Sequence, residues 1–322
     1  MFSHGTGATG SSSRGKPSRA CSSPLAFRLS PKYNPAVLRH VAITLEMIKF
    51  QHTIFALPFA LLAAFAVARG IPATMTLIWI LVAMIGARSA AMAFNRLVDA
   101  PIDAANPRTA TRALPAGLVS RGFVALFTLA SAVLFVFACW KLNRLSLILS
   151  GPTLVVLLGY SFTKRFTALS HLVLGLALAI APIGAAIAVE GKFNLAVFPL
   201  AASVLLWTAG FDVLYSMQDL EFDKSKGLFS IPSRIGGERA FLLARVFHAL
   251  ALAGFVAFGW LFSLGALYWV GVAAATGLLL WQHSIVSPRD ISRIDAAFFT
   301  ANGVLAVVLF LCGATDIVLR SR

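Results

Sequence analysis

The sequence predicts an all-α integral membrane protein, with about nine transmembrane helices around a central cavity whose mouth opens to the cytoplasm. Composition sets the class. Hydrophobic residues make up 59% of the chain and charged residues 12%, and the mean hydropathy is +0.85, more apolar than a water-soluble domain. The apolar residues come in uninterrupted Ala, Leu, Val and Phe runs, unlike the short alternating strands of a membrane barrel. The net charge of +15 is distributed unevenly: Lys and Arg gather in alternate connections, as expected of the cytoplasmic side of a membrane rather than of a nucleic-acid surface.

Measured against the roughly 20 residues a helix needs to cross a bilayer, the runs place spans near 41–68, 72–95, 122–140, 145–162, 169–189, 195–217, 239–263, 265–284 and 296–319. The first opens with Glu46, Lys49, Gln51 and His52 before becoming wholly apolar; ionisable groups in a span are functional candidates. The second and sixth end in acids. Pro58, Pro152, Pro182 and Pro199 are expected inside spans, where a missing N–H kinks the helix and opens space. Arg96, Arg108, Arg112 and Arg121 follow the second span, Lys164 and Arg165 the fourth, Lys224, Lys226, Arg234 and Arg239 the sixth, and Arg289 and Arg293 the eighth. These connections and the basic N-terminus are therefore placed in the cytoplasm.

Residues 40–320 read as one transmembrane domain. The preceding 1–39 form a basic tail whose first 31 residues hold Ser, Gly and Arg but no acid, the composition of a disordered segment or of an organellar transit peptide. Cys21, Cys139 and Cys312 are widely spaced and read as packing residues. His171 and His283 show no carboxylate at a recognisable catalytic spacing and read as interfacial or hydrogen-bonded packing residues.

The chemistry is concentrated in two windows. The chain has 12 acidic residues, and half of them are Asp99, Asp103, Asp212, Asp219, Glu221 and Asp223. Asn95, Asp99 and Asp103 recur every four residues and so share one helical face. Asp212, Asp219 and Asp223 return to nearly one face, with Ser216 in the intervening turn. Oxygen donors without His or Cys suit Mg²⁺ rather than zinc. Arg108, Arg112, Lys164, Arg165, Lys224 and Arg234 lie close by in sequence, so the site suits a magnesium-bound, multiply charged phosphate. Pro101, inside the first window, is expected to unwind the helix after Val98 and swing Asp103 off the stripe. The loops DAPIDAANPRTATRALPAG and DLEFDKSKGLFSIPSRIGG form a weak internal repeat, which suggests two related halves facing one cavity.

NRLVDAPID and DVLYSMQDLEFD resemble the NxxxDxxxD and DxxYxxxDxxxD motifs of the UbiA superfamily of intramembrane prenyltransferases, and NPRTATRALPAG and YSFTKRFT are similar to further segments of that family. The resemblance implies transfer of a polyprenyl group from its diphosphate to an aromatic ring. It implies that Asp99, Asp103, Asp219 and Asp223, with Asn95 and Asp212, hold Mg²⁺, and that Arg112, Lys164 and Arg165 offset charge on the leaving diphosphate. Tyr215, with Tyr160 and Gln218 beside it, is expected to line the carbocation pocket. Lys49 falls where hydroxybenzoate-using members carry an Arg that holds the acceptor carboxylate, and His52 falls near a family Lys. The implied acceptor is 4-hydroxybenzoate or a naphthoate. IKFQHTIFALPFA, SHLVLGLALAIAPIGA and DISRIDAAFFTANGVLAV look most like the branch serving menaquinone made by the futalosine route. Haem farnesylation, chlorophyll-type phytylation and, from another class, an ion-coupled transporter are the alternatives; a transporter would place its charges near the middle of spans. The expected setting is a bacterial inner membrane, or a mitochondrial one if the tail is a transit peptide.

Overall fold

The computed structural model describes residues 42–48 and 55–321, all within the unit Ala42–Arg322. Lys49, Gln51, His52 and the tail lie outside the described residues. A helical turn over 42–47 is followed by α1 (Leu57–Ala68), α2 (Thr74–Ala105), α3 (Arg121–Leu142), α4 (Arg144–Thr163), α5 (Ser170–Glu190), α6 (Phe198–Ser216), the short α7 (Leu220–Lys226) and α8 (Ile231–Ile235), α9 (Gly237–Leu261), α10 (Ala266–Ile285) and α11 (Asn302–Arg320). Among the described residues there is no strand beyond an isolated bridge, Ser287 to Asp290.

Among the described residues, seven helical stretches are long and apolar enough to cross a membrane: Thr74–Ala105, Arg121–Leu142, Arg144–Thr163, Ser170–Glu190, Leu195–Lys226, Gly237–Leu261 and Ala296–Arg320. The other two expected spans correspond to α1, 12 residues long, and α10, whose apolar run is diluted by Gln282, His283 and Ser284. The protein is therefore an all-helical, multi-pass membrane protein.

Consecutive long helices pack in chain order, and α1 lies against both α5 and α11, so the row curls back on itself. Two glycines permit the closest approaches. A Cβ on Gly86 would stand 2.8 Å from the Phe135 backbone nitrogen of α3, and one on Gly175 would run into the Leu205 carbonyl of α6. Trp207, Phe255, Phe258 and Tyr268 are fully buried in the main apolar core. There the Trp207 indole donates to Asn302 Oδ1 at 2.8 Å, while the Asn302 amide donates to the Ala297 and Phe298 carbonyls across a π-helical turn at Ala296–Ala301. Two helices are thereby pinned through a fully satisfied buried polar group.

The prolines divide into two groups. Pro152 and Pro182 lie inside helices as expected, but Pro58 and Pro199 occupy the first turns of α1 and α6, where the missing N–H has no intrahelical partner to lose. Pro101 does not unwind α2, which continues to Ala105. The N–H that Pro101 lacks would have met the Leu97 carbonyl; one residue on, Arg165 donates to the Val98 carbonyl at 2.8 Å. Because the helix continues, Asp103 stays on the stripe.

Candidate active site

The C-terminal ends of α2, α4 and α6, the N-terminal end of α5 and residues from the segments 106–112, 219–230 and 295–299 line a cavity of about 710 Å³. The spacing argument holds in three dimensions: Asn95, Asp99, Asp103, Asp212, Asp219 and Asp223 all line this cavity, and the Asn95 amide donates to Asp99 at 3.0 Å, one turn on. Glu221 turns away and pairs with Lys224 at 3.4 Å, both exposed.

Three of the acids are held by cations. Asp99, 2% exposed, meets Lys164 at 2.8 Å and Arg165 at 3.3 Å, both from the end of α4. Asp103, 3% exposed, meets Arg112 at 2.7 Å and Arg96 at 3.8 Å. Asp219 receives both Nε and Nη2 of Arg108, at 2.9 and 2.5 Å, and the Asn106 amide at 2.9 Å. Arg108 and Asn106 follow the first acid window while Asp219 belongs to the second, so this fork ties the two halves together. Burial alone would depress the Arg108 guanidinium, but its bonds with Asp219 outweigh that and hold it above the ordinary arginine value. Arg108 also lies over the Tyr215 ring, 5.6 Å from its centroid, and Tyr215 packs on Phe298 at 4.2 Å.

Tyr160 lines the cavity, whereas Gln218 does not and donates to the Tyr215 carbonyl at 3.4 Å. Lys224 and Arg234 are likewise not among the lining residues; Arg234 stacks 3.9 Å above Phe229.

The donor set fits magnesium. It consists of carboxylate and amide oxygens, and Asp103 Oδ2 is a buried oxygen without a hydrogen-bond partner. Among the described residues no three His, Cys, Asp or Glu side chains gather to enclose a metal ion. Mg²⁺ commonly takes only one or two carboxylates and fills its other positions with substrate phosphate and water. Asp99, Asp103, Asp219 and Asp223 are the residues that would hold it.

Residues 56–304 match the UbiA prenyltransferase family. The chain belongs to that family. Among its relatives, the 4-hydroxybenzoate octaprenyltransferase of Nitrosospira multiformis is 32% identical over 242 residues, 75% of this chain and 83% of the relative; that of Aliivibrio fischeri is 29% identical over 257 residues, 80% of this chain and 90% of the relative. Among solved structures, a UbiA homologue from Aeropyrum pernix superposes with a TM-score of 0.73 at 32% identity, over 84% of this chain and 98% of that one. A homologue from Archaeoglobus fulgidus bound to DMAPP and Mg²⁺ has the same fold, with a TM-score of 0.67 at 17% identity over 85% of this chain and 98% of the other.

Against this family background, four residues that were not among the expected site residues stand out. Asn106 and Arg96 bind the acids directly. Arg88 lines the acid-bearing cavity and also a second, apolar cavity of about 160 Å³ between α2, α3, α4 and α5. The signal for Arg88 was present in the sequence as a lone cation within an apolar span. His171 corrects the sequence reading: it does meet a carboxylate, with its Nδ1 2.7 Å from Asp212 Oδ2 across 41 residues of sequence.

Proposed function

We propose that this protein transfers a polyprenyl group from its diphosphate to an aromatic acid, 4-hydroxybenzoate or a dihydroxynaphthoate, in quinone biosynthesis, and that it requires Mg²⁺. The observation that carries this reading is the meeting of two acid stripes and their basic partners around one cavity in an apolar bundle. The names of the curated relatives and the prenyl diphosphates with Mg²⁺ in structural neighbours support the donor and the metal.

Bound at the acids, Mg²⁺ supplies positive charge that weakens the bond to the diphosphate. The rest follows from the chain's own residues. Lys164, Arg165, Arg112 and Arg108 are already turned toward the acids, so a diphosphate entering among them exchanges one set of anionic partners for another. They offset the negative charge that grows as the allylic C–O bond breaks and its electron pair leaves with the diphosphate. Tyr215 and Phe298 line the cavity, and aromatic rings there suit the shielding of an allylic cation. A ring carbon of the acceptor then forms the new C–C bond and loses its proton. Arg88, with Tyr160, stands where the acid-bearing and apolar cavities meet, and its guanidinium suits an acceptor carboxylate.

The Lys and Arg distribution supports a cytoplasmic placement of the acid-bearing end. The test is an acceptor screen with labelled geranyl diphosphate, comparing 4-hydroxybenzoate with dihydroxynaphthoates. A prenylated acid formed only with Mg²⁺ supports the reading, and absence of any prenylated aromatic product overturns it.

A further inference from the structure

Asp212 is held differently from Asp99, Asp103 and Asp219. Among the described residues no Lys or Arg lies within ion-pair distance of it; its partner is the buried ring of His171, on α5. The other ring nitrogen fixes the chemistry of that partner. His171 Nε2 lies 3.2 Å from the Ile231 backbone nitrogen, and a backbone N–H can only donate, so Nε2 is an acceptor. The ring proton is therefore on Nδ1 and is donated to Asp212. The imidazole is neutral in this arrangement and acts as an oriented dipole.

Ile231 belongs to a strap, residues 228–231, that crosses the acid-bearing end. Its Leu228 N–H donates to the Asp223 carbonyl at 2.9 Å and its Phe229 N–H to the Lys164 carbonyl at 2.8 Å. Lys164 in turn holds Asp99. Ser230 closes the strap with a capping box onto Ser233 at the start of α8. His171 thus bonds both Asp212 of the cavity wall and Ile231 at the end of the strap. Asp212 lies within α6, seven residues before Asp219, which follows the helix in a 3-10 turn.

We propose that His171 is a positioning residue: by donating from Nδ1 it holds the Asp212 carboxylate in one arrangement for prenyl transfer, while its Nε2 ties the ring to Ile231 at the end of the 228–231 strap. The assignment rests on the transferase reading, with Asp212 acting in the cavity. Without His171, Asp212 loses the oriented neutral donor that fixes its carboxylate in the cavity wall.

The test uses the full-length enzyme in nanodiscs with H171A, H171N, H171Q and D212A. An Asn amide nitrogen falls near the position of Nδ1 and can still donate to Asp212, whereas a Gln carbonyl falls near Nε2 and can still accept from Ile231. The expected result for H171A is a fall in kcat of about tenfold or more, with KM for geranyl diphosphate within about twofold of wild type. H171N recovers most of the rate and H171Q little of it, and H171A adds almost nothing in the D212A background. Hydrogen exchange gives a second readout independent of turnover: Ile231 exchanges faster in H171A and H171N and stays protected in H171Q. Additive effects of H171A and D212A, or equal recovery by Asn and Gln, overturn the assignment. Unchanged Ile231 exchange in all three His171 variants also overturns it. If the wild type forms no prenylated product while exchange follows the expected pattern, the transferase reading fails and the His171 bridge stands.

Discussion

Replacing Lys164 with Met removes the shorter of the two ion pairs to Asp99 while keeping an unbranched stem of similar length. Asp99 is only 2% exposed, and a buried carboxylate stripped of all partners costs about 3–5 kcal/mol. Here Arg165 remains at 3.3 Å and the Asn95 amide at 3.0 Å, and the Lys164 side chain is itself a third exposed, so the expected loss of stability is about 1 kcal/mol. Catalysis should suffer more. Once a diphosphate occupies the cavity, Lys164 faces the charge that develops on it, and losing one such donor costs about 100-fold in kcat, or ~2.7 kcal/mol. Lys164→Arg, which keeps the charge, should lose much less. The assay pairs single-turnover transfer from labelled geranyl diphosphate with thermal unfolding of the same preparation. A Lys164→Met enzyme within threefold of wild-type kcat, or one whose activity loss simply follows its unfolding, would refute the assignment of Lys164 to the diphosphate.

Asp99→Ala and Asp219→Ala should each abolish transfer at low Mg²⁺ and respond poorly to added Mg²⁺, measured as product formed across a magnesium titration; full activity in either would remove the metal assignment. Arg88→Ala should raise KM for the aromatic acid by about tenfold or more, leaving KM for the prenyl diphosphate within about twofold, as initial-rate kinetics on each substrate would report. Gly175→Ala forces a methyl against the Leu205 carbonyl and should destabilise the bundle by about 1–3 kcal/mol, read as a lower unfolding midpoint. Trp207→Phe leaves Asn302 Oδ1 buried without its donor and should cost about 1–3 kcal/mol in the same measurement.

The apolar spans and the two acid stripes were legible because each depends on one local period: about 20 residues to cross a bilayer and four residues to return to one helical face. Those rules place Asp99 beside Asn95 and Asp219 beside the same cavity without knowledge of the packing. Pro101 was misread because its missing N–H removes one bond of the helical ladder without ending the helix, which runs on to Ala105. The His171–Asp212 bond was invisible because it joins α5 to α6 across 41 residues. Charge proximity in sequence also overcounted. Lys224 spends its charge on Glu221 and Arg234 stacks on Phe229, while Asn106, neutral and so unremarked, reaches Asp219. What could be read was periodicity along single helices; what could not was which neighbouring loop each side chain meets.

The central claim is that the two acid stripes and their cations form one magnesium-dependent site for prenyl transfer. The most direct measurement is the yield of prenylated aromatic acid and of released diphosphate from the purified protein in nanodiscs, with and without Mg²⁺. The two products are expected in equal amounts, formed with Mg²⁺ and lost on chelation. Equal yields with and without the metal, or diphosphate released without any prenylated acid, would contradict it.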